Sequence, residues 1–140
     1  MIKTFPNYIN KIVAFLFLIQ ILSCYTFPNE TFKTTEIKSK QVDEKLFIKT
    51  ANWGLTGENQ TTVITLSNDT DFDKKQSDDY YVFSGLEPFF YRQANDSLIL
   101  YSRTKVNVPK RFKTRWKIVQ YIVDNPSFMR LYKDSIFKSP

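Results

Sequence analysis

From Glu44 to Val123 the apolar residues recur in short runs broken by polar turns, and no run carries a 3.6-residue stripe. A chain patterned this way cannot bury its apolar surface as a helical bundle and is read as a set of short strands. Leu46–Ala51 is the first strand candidate and Thr61–Leu66 its hairpin partner. Between them stand Gly54 and Gly57, two of three glycines in the chain, where a turn needs positive φ. Tyr80–Phe83, Phe89–Arg92 and Leu98–Tyr101 follow, the last apolar on both faces and therefore expected at the centre of a sheet. Ala94-Asn95-Asp96 is a turn signal, Thr104–Val108 a short strand candidate, and Phe112–Val123 the longest. Beyond Asp124 the pattern changes. Asp124 or Asn125 suits an N-cap, Pro126 a first turn, and Phe128, Leu131, Tyr132 and Ile136 fall at helical spacing. The expected fold class is all-β: a small antiparallel β-sandwich or curled sheet of about seven strands with a short C-terminal helix.

The residue inventory narrows the chemistry. With no histidine and one cysteine among 140 residues, a Ser-His-Asp triad, a Cys-His pair, a Cys/His zinc site and an internal disulfide are all excluded. The three glycines are scattered and build no phosphate loop, and no S-x-x-K precedes an apolar helix. No catalytic residue, metal ligand or cofactor is therefore assigned, and the chain is expected not to be an enzyme.

The N-terminus supplies an address. Lys3 and Lys11 are the only charges before Glu30, and the run Ile12 to Ile19 continues through Gln20 into Ile21-Leu22. An apolar core of about 11 residues falls short of the ~20 that span a bilayer, so it reads as a secretory signal. Ile21-Leu22-Ser23-Cys24 follows, and it resembles the lipobox of bacterial lipoproteins, with isoleucine where leucine is commoner. The resemblance covers the signal segment alone. It implies cleavage before Cys24 and acylation of that cysteine with chains such as palmitate. Each buried methylene contributes about 0.8 kcal/mol, so several chains make attachment effectively irreversible. By the sorting rule of Gram-negative envelopes, Tyr25 in place of an aspartate after the cysteine points to the outer membrane. Residues 1–23 are thus a signal peptide. Residues 24–43 are the acylated cysteine and a polar tether with a flexible span of ~25 Å and a stretched limit of ~65 Å. Residues 44–140 are a mainly-β domain.

Charge is segregated along the mature chain. Residues 24–102 carry a net −4 and residues 103–140 a net +8. In a strand, Lys113, Arg115 and Lys117 would share one face while Phe112, Trp116 and Ile118 share the other. With Arg111 they form a candidate site for anions or an acidic partner; the plainer reading is a solvated face that deters edge pairing. For an anchored protein the available anions are lipid head groups or an acidic envelope protein. Each cation near a charged membrane is worth about 1 kcal/mol within a Debye length of ~8 Å. Nucleic acid is not expected.

Tyr80, Tyr81, Phe83, Phe89, Phe90, Tyr91 and Tyr101 fall within 22 residues. Most should fill the core, since each buries about 150–250 Å². Adjacent aromatics point to opposite faces, which makes Tyr81 and Tyr91 candidates for a ligand-facing position. Asp69-Thr70-Asp71-Phe72-Asp73 begins like a calcium loop, but Lys74 replaces the glycine and Tyr80 the bidentate glutamate that such a loop needs. Asn29, Asn59, Asn68 and Asn95 each begin an N-x-S/T sequon, relevant only where the host glycosylates asparagine. The sequence thus describes an envelope lipoprotein acting as a non-catalytic binding or structural module. The alternatives are a carbohydrate- or peptide-binding sandwich using exposed aromatics and, last, a small hydrolase.

Overall fold

In a computed structural model of the chain, the described residues are 30–54, 57–69, 72, 75 and 77–140. The signal segment, Cys24 and Asn29 lie outside them, as do several residues of the loop after Asp69. Seven strands form two sheets among the described residues: β1 (Thr31–Ile37), β2 (Leu46–Trp53), β3 (Asn59–Thr65) and β4 (Tyr81–Ser84) in one, β5 (Phe89–Ala94), β6 (Ser97–Ser102) and β7 (Lys117–Ile122) in the other. The order is β1-β2-β3-β4 and β5-β6-β7. A single short helix, α1 (Asn125–Leu131), follows. The mainly-β, sandwich-like class expected from the alternating runs is the one observed.

The core lies between the sheets. Ile37, Leu46, Ile48, Ile64, Tyr81 and Phe83 from the first meet Phe89, Tyr91, Leu98 and Leu100 from the second, and Trp116 joins the same cluster. The Phe83 and Phe89 rings meet at 4.5 Å, tilted by 59°, across the junction between β4 and β5. On the outer side of the second sheet, α1 buries Phe128 against Phe90, with ring centroids 4.9 Å apart, and Tyr132 meets the same ring edge-on. The helix begins as its sequence requires: Asp124 accepts a hydrogen bond from the Ser127 amide at 2.8 Å, and Pro126 occupies the first turn.

Three expectations need correction. The polar stretch read as part of a tether forms β1, paired with β2 in unbroken register from Thr31↔Asn52 to Ile37↔Leu46. Its ladder is made by backbone groups, and Ile37 alone is buried, so the strand has no alternation to show. The pairing is not antiparallel throughout, because β6 and β7 run parallel, joined by an irregular crossover from Arg103 to Trp116. Thr104–Val108 and Phe112–Trp116 lie in that crossover and are not strand. β6 is central as expected, but only one face is fully buried: Leu98 and Leu100 are covered, whereas Ile99 and Tyr101 are half-buried.

The C-terminal tail returns to β5, where Tyr91 and Lys138 exchange backbone hydrogen bonds of 2.8 and 2.9 Å. The Gln120 side chain of β7 ties the crossover to the sheet: its Oε1 accepts from the Val106 amide at 3.0 Å and its Nε2 donates to the Val106 carbonyl at 2.9 Å.

Candidate functional site

The crossover carries the cationic residues, and its conformation is set by side chains that turn inward between them. Residues 111 to 117 alternate exposed and covered, with Phe112, Thr114 and Trp116 inward and Arg111, Lys113, Arg115 and Lys117 outward. Period two thus holds without a strand. Phe112 meets the Tyr81 ring edge-on at 5.3 Å. Glu44 supplies the bonds a neighbouring strand would have made. Its carboxylate accepts from the Thr114 hydroxyl and the Arg115 amide, and its carbonyl accepts from Trp116 Nε1 at 2.9 Å.

The four cations differ in what they have free to offer. Arg111 forks onto Asp79 with two bonds of 2.9 Å, and its amide donates to the Asp78 carbonyl. Lys117 pairs with Asp96 at 3.3 Å, and this cation, after the Ser97 hydroxyl, helps hold the Asp96 carboxyl below the usual range. Lys113 and Arg115 make no ion pair among the described residues, and neither do Lys105 and Lys110. Lys105 and Lys110 also line an open groove of about 580 Å³ between β4 and the crossover, beside Tyr80, Val82 and Asn107. The free positive charge therefore centres on Lys105, Lys110, Lys113 and Arg115. The sequence placed Arg111 and Lys117 in the same stripe because the acidic partners, Asp79 and Asp96, are distant in the chain.

The aromatic expectation is corrected in its particulars. Tyr81 is 4% exposed and Tyr91 3%, and both belong to the core cluster. Burial pushes both hydroxyls above the usual phenol value. An aromatic that is exposed is Tyr121 on β7, stacked on Tyr101 at 5.5 Å and 20°, with Phe137 edge-on to Tyr101 at 5.0 Å. Arg92 donates to the Tyr101 hydroxyl at 3.1 Å. Tyr121 was passed over because it lies outside the dense aromatic run.

Lys49 is the second residue the sequence did not single out. It sits on β2, on the face away from Leu46 and Ile48, yet only 2% of it is exposed. Its ammonium donates to the Asp69 carbonyl. Burial lowers its pKa, and the Asp69 carboxylate partly opposes that shift. Lys49 lines an open cavity of about 660 Å³ with Thr65, Ser67, Asp69, Phe72 and Tyr80. The Asp69 carboxylate of the calcium-like loop is itself engaged by the Ser67 hydroxyl at 2.5 Å. Among the described residues, no three His, Cys, Asp or Glu side chains are grouped to hold a metal ion.

No family model, no curated protein and no solved structure matches the chain.

Proposed function

We propose that this chain is a lipid-anchored protein of the cell envelope, held in the membrane through acylated Cys24, whose folded body is a non-catalytic binding module for an acidic envelope protein. The observation that carries the anchor is Ile21-Leu22-Ser23-Cys24 at the end of a short apolar run, with the chain's one cysteine at the acceptor position. The non-catalytic role rests on the inventory of residues: no histidine, and no second cysteine. Tyr25 after the cysteine supports the outer membrane as the destination.

An acidic protein is favoured over the anchor's own lipid head groups by the position of the cations. Glu44, Asp78 and Asp79, which hold the cationic crossover, lie by the start of β2 and of β4. β1 begins at the opposite end of the sheet, where Thr31 pairs with Asn52. The two ends are separated by the length of β2, about 25 Å at ~3.3 Å per residue. From Cys24 to Thr31 the chain spans at most about 25 Å. A body standing upright on this linker therefore presents the part of the crossover held by Glu44 away from its own bilayer.

Metabolic labelling with a fatty acid tests the anchor: the wild type takes up label and Cys24→Ala does not. Equal labelling of the two, or none in either, rejects the reading. A carbohydrate- or peptide-binding role has one observation in its favour, the exposed stack of Tyr121 on Tyr101. It requires Tyr121→Ala to abolish binding to an immobilised glycan or peptide that the wild type retains.

A further inference from the structure

We infer that the folded body rests on the bilayer surface by the end that carries Phe32, Trp53 and Leu86, which holds Lys113 and Arg115 of the crossover away from the membrane. This rests on the lipid anchor proposed above. The linker sets the geometry. With β1 beginning at Thr31, six residues separate it from Cys24. Even fully extended, the chain from Cys24 to Thr31 reaches no more than about 25 Å. The start of β1 is therefore held within about that distance of the acyl chains, where a tether reaching to residue 43 would have left the body free to roam.

The strand register places the other residues at the same end. Trp53 closes β2 opposite Asn59 on β3, and the Gly85 amide donates to the Gln60 carbonyl at 2.9 Å where β4 exits. Leu86 follows directly. Only four residues separate the end of β4 from the start of β5, so Ile122, beside Ser102 and Phe89 in register, belongs here too. Phe32 is 53% exposed, Leu86 54% and Ile122 51%, and Trp53 is half-buried. Large apolar side chains set around one end of a small body are costly in water and suited to the head-group zone, where tryptophan is favoured. Glu30, Glu58 and Glu87 lie at this end with Arg103, so the surface it fits is zwitterionic rather than strongly anionic. The occupant is the bilayer to which the protein is already tied.

The test uses the full acylated chain in phosphatidylcholine vesicles whose acyl chains carry bromine, a contact quencher of tryptophan. The two tryptophans lie at opposite ends of the fold: Trp53 closes β2, and Trp116 bonds to Glu44, before the start of that strand. Quenching is expected in the wild type and is expected to be lost in Trp53→Phe, which leaves Trp116 as reporter. Phe32→Ser with Leu86→Ser should reduce the quenching while the protein stays on the vesicles through its lipid. Acylated, vesicle-bound protein without quenching overturns the inference and leaves the anchor standing. Quenching that survives Trp53→Phe overturns it by putting the cationic end down. A Cys24 without acyl chains overturns the anchor and the docking together.

Discussion

Burying the Lys49 ammonium beside Asp69 costs the folded state part of its hydration, and this burial lowers its pKa. The folded protein holds this proton less tightly than the unfolded chain does. Stability therefore rises with pH from the depressed folded value up to the usual lysine value near ~10.5, and the penalty is full below the folded value. Lys49→Met should raise stability at neutral pH by about 1 kcal/mol, and the gain should shrink as pH climbs toward that limit. Urea midpoints of the two proteins at neutral and alkaline pH check both parts. Tyr81 and Tyr91 act in the opposite sense, since their raised values mean that stability falls as pH passes the phenol range of the unfolded chain, near ~10. None of this was legible in the sequence. Alternation tells which side chains share a face of a strand but not which face is covered, so Lys49 was not singled out and Tyr91 stood as a candidate for a ligand-facing position.

Elements whose stability comes from apolar alternation were legible, and elements held by specific polar bonds were not. β2, β3, β4, β5, β6 and α1 fall where their runs and caps placed them, within a residue or two at most boundaries. β1 and the crossover did not, because β1 is a polar edge strand and the crossover takes its shape from Glu44, Asp78 and Asp79, distant in sequence. The role of Gln120 belongs to the same class. Its amide satisfies the Val106 backbone and ties the crossover to β7. Gln120→Ala should cost about 1–2 kcal/mol by leaving that backbone without its partners. A lower denaturant midpoint is the expected readout. Gly54 has a φ of +103°, and a Cβ there would collide with the Glu58 carboxylate. Gly54→Ala should lower stability by more than about 1 kcal/mol, read from the same denaturation curves.

At the scale of the whole molecule, the charge segregation seen in the sequence becomes a geometric polarity. The first strand, next to the proposed anchor, starts at the Trp53 end, and the unpaired cations Lys113 and Arg115 lie toward the other, on the part of the crossover that Glu44 holds. For a body held down at the Trp53 end, that part of the crossover is the surface a second envelope protein would meet first. Substituting Lys113 and Arg115 by alanine should weaken binding to an acidic polypeptide such as polyglutamate and flatten its salt dependence. Arg111→Ala and Lys117→Ala should do less, since those charges are already paired within the fold. Isothermal titration across a salt series separates the two outcomes, and equal effects from all four cations would contradict the assignment. The charge asymmetry and the lipobox could be read from the chain without its fold. The short linker could not, because its length depends on where β1 begins. The most direct test of the account is the intact mass of the mature protein extracted from its own membranes. The account predicts a chain beginning at Cys24 and heavier than its residues by the attached acyl groups; a different first residue, or no added lipid mass, contradicts it.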